Sequence, residues 1–207
     1  MYRLPHLYGL NRLTPKLREE KRCIVKRTVG KLGHLDGHHL SEDLLATDPT
    51  RYYLVCVLDA WIRLAWVEVV TDLKSLPVML RALKSFNLLS QRSQLQFTEV
   101  LPDNGSAFAA LTQPAPHPFE RMLLELGIKH RYTRPYRPQT NGKVKRFWRT
   151  LDDLIDDTTV ASLAEFRDEL EQYVLYSNEV RPHQVLEGKP PKQMNEMCQR
   201  MTEHIQE

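Results

Sequence analysis

Two neighbouring β-prone runs constrain the fold of this chain more than any other feature of the sequence. Residues 52–58 (Tyr-Tyr-Leu-Val-Cys-Val-Leu) are continuously apolar, which is typical of a strand buried on both faces of a sheet. Residues 62–71 form a second β-rich run after the short Ala60-Trp61 connection. We expect the two runs to pair as an antiparallel hairpin.

The hydrophobic periodicity of the other segments completes the list of predicted elements. Further strands are predicted at 33–40, 96–101 and 128–132, and helices at 73–89, 119–126, 143–156 and 162–179. In the first helix the spacing predicts an inward face formed by Leu76, Leu80, Leu83 and Asn87. The order of strands and helices predicts an α/β fold, a mixed sheet flanked by helices.

The length of 207 residues is enough for one good-sized domain with appendages. Residues 1–32 are strongly basic, and we interpret them as an N-terminal arm or the remnant of an upstream DNA-binding domain. Residues 33–193 carry the globular pattern, including the C-terminal helices, and 194–207 are expected to be a tail.

The three cysteines Cys23, Cys56 and Cys198 are odd in number and widely spaced, which fits neither a disulfide framework nor a zinc knuckle. We therefore expect a reducing, cytoplasmic location. No apolar run approaches the ~20 residues that span a bilayer, so a membrane partner is not expected. Zinc binding by His34, His38 and His39 is disfavoured, because neighbouring strand residues point to opposite faces.

The most unusual stretch is 132–151, a proline-restrained basic loop followed by a basic amphipathic helix. The net charge of the chain is only +3, so the placement of the cations matters more than their total. They are either a solvated face or contacts to DNA phosphates. The candidate DNA-binding residues are Arg134, Arg137, Lys143, Arg146 and Arg149. Tyr136 or Trp148 could stack on an unpaired base, although an aromatic residue in a helix is more often part of the core.

Two acids stand beside predicted strand ends. Asp36 lies on the first strand and Asp103 follows the fourth, and ligand chemistry in α/β folds tends to collect near such ends. The alternative for Asp103 is an ordinary turn, since Asn104 and Gly105 follow it. Glu68 and Asp72 are interpreted as solvated charges at the end of a strand.

Several short motifs recur together in this chain. They are Leu35-Asp36, Leu58-Asp59, Asp103-Asn104-Gly105, Gly127-Ile128-Lys129-His130, the run at 134–144, and Asn178 with Arg181-Pro182-His183. In this order they resemble the retroviral-integrase-like catalytic core of bacterial insertion-sequence transposases over residues 33–193. The resemblance implies a ribonuclease H-like fold with five mixed strands. It also implies phosphoryl transfer on DNA, supported by Mg²⁺ or Mn²⁺.

The resemblance also assigns roles to residues. It implies that Asp36 and Asp103 are catalytic, metal-binding acids, and that Asp59, Asn104 and Asn141 support the site. Asp59 is the alternative for the first metal position. The third acid of the family, a glutamate, is replaced by Lys145.

This replacement changes the charge of the site from −3 for three acids to −1. A lysine ammonium is a donor only and cannot bind a cation. The next acid on the same side of the helix, Asp152, lies two turns away, about 10.5 Å along the axis, too far to substitute.

Three classes of function therefore stay open. The first is an integrase-type core for DNA integration or transposition, catalytically impaired by Lys145. The second is an inactive DNA-binding or oligomerising transposase remnant. The third is a ribonuclease H-like nuclease without transposition, which Lys145 would damage equally. The resemblance implies DNA, as transposon ends and target, and further copies of the chain as partners.

Overall fold

The computed structural model describes residues 28–41, 44–45, 48–102, 107–108, 117–132, 141–155 and 160–206, without the side chains of 154, 205 and 206. Most of the predicted arm lies outside these residues. Asp103, Asn104, Arg134, Tyr136 and Arg137 lie outside them as well.

Five strands form one mixed sheet, in the order β3-β2-β1-β4-β5. Their bounds are β1 Gly33–His39, β2 Tyr53–Asp59, β3 Ala65–Val70, β4 Glu99–Pro102 and β5 Lys129–His130. β1 pairs antiparallel with β2 and parallel with β4, and β4 pairs parallel with β5. The predicted ribonuclease H-like fold class, a five-stranded mixed sheet flanked by helices, is confirmed.

The antiparallel hairpin of β2 and β3 is also confirmed, with Val57 opposite Trp66 and Leu54 opposite Val69. Its connection is longer than predicted, because β2 extends to Asp59 and β3 begins only at Ala65. Six of the seven residues of β2 are buried, all but the first, and all six of β3 are buried. The continuous apolar runs therefore occupy the interior positions that their composition requires.

The described ranges contain five helices. They are α1 Ser75–Ser93, α2 Pro118–Glu125, α3 Gly142–Ile155, α4 Leu163–Glu179 and α5 Pro191–Gln206, with a 3-10 turn at Gln184–Leu186 before α5. A Cβ on Gly37 of β1 would meet Leu73, just before α1, whereas the neighbouring Asp36 contacts Trp148 on α3. Because successive strand residues face opposite sides, the start of α1 and α3 lie on opposite faces of the sheet.

The inward face of α1 differs from the prediction. Leu76 and Leu80 are 59% and 54% exposed, whereas Val78, Ala82 and Phe86 are buried. Both sets have helical spacing, so periodicity alone does not choose between them. The buried set places the small side chains of Val78 and Ala82 against the apolar β2–β3 surface, which lets the helix backbone approach it closely.

The structure adds detail at both ends of the predicted globular region. Residues 194–206 are helical, because α5 begins at Pro191, and its Asn195 and Gln199 donate hydrogen bonds to the Ser93 carbonyl at the end of α1. At the other end, Leu32 is fully buried beside Ala60 and Leu101, although it was assigned to the arm. The helices of the described ranges include none that is long and apolar enough to span a bilayer.

The burial on α1 leads to a stability prediction. Phe86→Ala should destabilise the protein by about 3–5 kcal/mol, because Phe86 packs in the core with its ring 5.7 Å from that of Phe97. Leu80→Ala should change stability by less than about 0.5 kcal/mol, because Leu80 is exposed. Urea unfolding of both variants measures the difference, and similar losses would contradict the observed face.

Candidate active site

Three polar residues alternate along β1 and point to the same face of the sheet. They are His34, Asp36 and His38, and their spacing of two places them on one side of a strand. His34 is 1% exposed and Asp36 is 7% exposed. Buried polar groups need partners, and here α3 supplies them.

Helix α3 has two different sides. Its apolar side buries Val144, Phe147 and Leu151, as its periodicity predicts. Positions 141, 145, 148 and 152 are separated by four, three and four residues, so they lie along one side of the helix. Three of these four positions contact β1.

The contacts run in the same order along β1 and along α3. His34 Nδ1 donates to Asn141 Oδ1 at 3.3 Å, and Trp148 Nε1 donates to Asp36 Oδ2 at 3.0 Å. His38 Nε2 donates to Asp152 Oδ1 at 2.7 Å. Trp148 is 4% exposed, so the suggestion that it stacks on an unpaired base is wrong and the core alternative holds.

Lys145 is exposed, on the same side of α3 as Asn141 and Trp148. Arg146 and Arg149 are exposed as well, and we call these three residues the cation strip. Lys143 is different, because its Nζ donates to the Ala60 carbonyl at 2.6 Å and ties α3 to the β2–β3 connection.

The end of β4 lies next to Asp36 in the sheet. Pro102, the last residue of β4, pairs in parallel with Leu35, the neighbour of Asp36. Asp103 follows Pro102 in the sequence but lies outside the described residues. The structure therefore brings Asp36 close to the side of α3 that carries Lys145, and it describes neither Asp103 nor the predicted DNA contacts Arg134 and Arg137.

The electrostatics of this face are clearest at His34. The pKa of His34 is lowered from 6.5 to about 4, mainly by burial and to a smaller extent by the charges of Lys143 and Arg63, while the hydrogen bond to Asn141 acts in the opposite direction. The buried Nε2 of His34 has no hydrogen-bond partner among the described residues. His34 is thus held as a neutral imidazole.

Asp59, at the end of β2, is fully buried and bonded to the backbone. It accepts hydrogen bonds from the amides of Gly30, Trp61 and Ile62 at 2.9, 2.8 and 2.8 Å. Burial raises the pKa of the Asp59 carboxyl, while these backbone amides act in the opposite direction. The geometry is that of a residue that holds the hairpin connection and residue 30 in place.

Glu68 is not a solvated charge, contrary to the expectation. It is 7% exposed and accepts hydrogen bonds from Trp66 Nε1 and Lys84 Nζ, both at 2.8 Å. Arg81 approaches the same carboxylate at 3.8 Å. The partners on α1 lie 13 or more residues away in the sequence, which is why local pattern gave no sign of them.

Sequence reasoning missed the pairing of Trp148, His38 and Asp152 with this site. The signal was present in two periodicities, the alternation of 34, 36 and 38 on a strand and the helical spacing of 141, 148 and 152. Only the docking of α3 on β1 shows that the two patterns face each other.

A two-metal centre of Mg²⁺ or Mn²⁺ depends on oxygen ligands from the protein. Asp36 offers carboxylate oxygens, which Mg²⁺ prefers, but Lys145 offers only N–H donors. In the part of the chain that the structure describes, no group of three or more His, Cys, Asp or Glu side chains is placed to hold a metal ion. The described residues therefore do not fit a two-metal centre.

The described geometry defines the fold class. A five-stranded mixed sheet in the order β3-β2-β1-β4-β5, with an aspartate on its central strand facing a helix that follows the last strand, is a ribonuclease H-like arrangement. The comparison with protein families is more specific, because a family model described as an integrase core domain matches residues 126–191.

Solved structures agree with this assignment. The catalytic core of BIV integrase is 22% identical, with a TM-score of 0.58 over 84% of this chain and 98% of that chain. The HTLV-2 integrase core, solved with magnesium in a trimeric form, is 18% identical, with a TM-score of 0.59 over 84% of this chain and 99% of that chain.

A chain of the simian T-cell lymphotropic virus intasome, in complex with a PP2A regulatory subunit, is 16% identical, with a TM-score of 0.64 over 84% of this chain. This chain spans 56% of the length of that one. The protein thus has the fold of the integrase catalytic cores, as the resemblance of its motifs implied, and its residues 126–191 match the integrase core family model.

The lowered pKa of His34 predicts an acid-sensitive fold. Between pH 6.5 and 4 the unfolded chain takes up a proton at this position and the folded chain does not, so stability falls as the pH falls through this window. The full loss is about 3 kcal/mol. Chemical unfolding at several pH values measures it, and His34→Gln should show a shallower decline. Equal slopes for both proteins would contradict the assignment.

Proposed function

We propose that the protein is an integrase-type core for DNA integration or transposition whose strand cleavage and strand transfer are impaired by Lys145. The observation that carries this proposal is the docking of α3 on β1. In this docking residue 145 lies on the side of the helix that faces the Asp36 strand, which supports the assignment of Lys145 to the position of the third acid. Asp36 and Asp103 are the remaining acids of the proposed site.

The charge explains the impairment. Two acids and an ammonium give a net charge of −1, which is a weak attraction for divalent cations compared with the −3 of three acids. An ammonium beside the site also attracts carboxylates and phosphates, the groups that a metal would otherwise bind. We propose Mg²⁺ or Mn²⁺ as the cofactor of this type of core, bound weakly by the native chain.

Asp59, Asn104 and Asn141 are proposed to support the site. For Asp59 this is favoured over direct metal binding, because its carboxylate accepts three backbone hydrogen bonds. Asn141 holds the buried His34 at the start of α3. Without the Asn141 side chain, the N-terminal end of α3, which precedes Lys145, would lose this contact with β1.

The cation strip supports DNA as the partner. Arg146 and Arg149 are exposed on α3 and lie one turn apart, so they can contact successive phosphates of one strand. Arg134, Arg137 and Lys143 are proposed to extend this surface. Such contacts bind transposon ends and target DNA without reading their sequence.

We also propose that the protein acts as a homo-oligomer. The HTLV-2 integrase cores similar in fold were solved in trimeric and dimeric forms. On this chain, α1 exposes Leu76 and Leu80, and apolar side chains of this size at a surface favour association.

Restoring the acid tests the proposed impairment. Lys145→Glu should raise Mn²⁺-dependent nicking of a transposon-end DNA about tenfold or more, equivalent to about 1.4 kcal/mol of transition-state stabilisation. Lys145→Gln is the matched control, because it removes the positive charge without supplying a ligand. Gel electrophoresis of end-labelled DNA measures the nicking rate.

Two outcomes decide whether the site is the proposed one and whether Lys145 impairs it. If Lys145→Glu is active and its activity disappears in the Asp36→Asn double variant, the site is the proposed one. If the native protein is already as active as Lys145→Glu, the proposed impairment is wrong.

DNA binding is tested separately from catalysis. Arg149→Ala should weaken binding to DNA of any sequence and reduce the slope of log K against log salt by about 1, since one phosphate contact is lost. Arg200→Ala is the control, because Arg200 is an exposed cation on α5. Fluorescence anisotropy at several salt concentrations measures both, and an unchanged slope for Arg149→Ala would remove this residue from the interface.

A further inference from the structure

A connected set of side chains links the carboxylate of Asp36 to the far end of α3. The indole N–H of Trp148 donates to Asp36 Oδ2 at 3.0 Å. The indole ring stacks on the imidazole of His38, with centroids 4.8 Å apart and planes at 16°. His38 Nε2 in turn donates to Asp152 Oδ1 at 2.7 Å.

The hydrogen bond between Trp148 and Asp36 is buried at both ends. Trp148 is 4% exposed and Asp36 is 7% exposed. A hydrogen bond to a carboxylate is stronger than one between neutral groups, and little water competes with it here. Indole has a single N–H on a rigid ring, so the ring plane fixes the direction from which Asp36 is held.

The contacts of His38 with Trp148 and with Asp152 fix the plane of the indole ring. From Asp36 to His38 the strand advances two residues, about 6.6 Å. From Trp148 to Asp152 the helix advances four residues, about 6.0 Å. Because the two spacings match, Trp148 contacts Asp36 while Asp152 contacts His38. The His38 ring therefore stacks on one face of the indole.

We propose that Trp148 is a positioning residue for Asp36, and that His38 and Asp152 hold Trp148 in place. The inference rests on the proposed function, since it treats Asp36 as an acid of the reaction site. Trp148 acts through Asp36 and is not itself a catalytic residue. A tryptophan needed only for packing would place its N–H on any acceptor, whereas this one is bonded to the candidate reactive carboxylate.

The hydrogen bond is tested by NMR on the protein without DNA or metal. The chain has three tryptophans, so three indole N–H signals are expected, and Trp148→Phe identifies the signal of Trp148. In Asp36→Asn this signal should shift and exchange faster with solvent, because the charged acceptor is lost. The signal of Trp66, which donates to Glu68, is the internal control and should not move.

The functional consequence is tested in the Lys145→Glu background. Adding Trp148→Phe keeps an aromatic ring but removes the N–H, and should lower the rate constant of nicking about 10- to 100-fold with little change in KM for DNA. Trp148→His restores an N–H donor on a ring and should recover part of the rate. His38→Ala should lower the rate less than Trp148→Phe does.

The outcomes separate this inference from the proposed function. If Lys145→Glu is inactive, the proposed function fails, while the NMR comparison still decides whether Trp148 holds Asp36. If Asp36→Asn leaves the Trp148 signal unchanged, or if Trp148→Phe leaves the nicking rate of Lys145→Glu unchanged, the positioning role is overturned.

Discussion

The docking of α3 on β1 is the interaction on which the candidate site depends. The helix has to bury Val144, Phe147 and Leu151 in the core while a second side faces buried polar groups on the strand. Each buried polar group without a partner would cost about 1–3 kcal/mol. The pairs His34–Asn141, Asp36–Trp148 and His38–Asp152 supply such partners, with His34 Nε2 as the exception, and together they fix the rotation and the register of the helix.

The position of Lys145 follows from this register. Because Asn141 and Trp148 are each bonded to β1, a side chain between them on the same side of the helix starts beside the strand that carries Asp36. A long side chain at this position can extend to solvent, and Lys145 does so. The helix therefore presents its cations at the boundary between the buried polar face and the open surface.

Much of the fold could be predicted from the sequence, because its signals are local. The buried runs of β2 and β3 and the apolar side of α3 follow from composition and period alone. The inward face of α1 could not be chosen, since Leu76 and Leu80 have the same spacing as Val78 and Ala82. The environment of Glu68 depends on Lys84 and Arg81 of a different element, which no local pattern reveals.

The candidate site was predictable to a similar extent. Asp36 and Lys145 were proposed from motifs, whereas the contact of Trp148 with Asp36 needed the three-dimensional match of a strand period with a helix period. The helix at the end of the chain was not predicted for the same reason. The helix Pro191–Gln206 is fixed by hydrogen bonds from Asn195 and Gln199 to Ser93, about a hundred residues earlier.

One further consequence comes from Asn178, near the end of α4. Its side-chain amide accepts from the Ala65 N–H at 3.0 Å and donates to the Ala65 carbonyl at 2.8 Å, at the first residue of β3. β3 is an edge strand, and an unpaired edge can recruit strands from other molecules. The amide takes the hydrogen-bonding positions that one residue of a sixth strand would occupy. Asn178 thus blocks the start of this edge against pairing with a strand of another molecule.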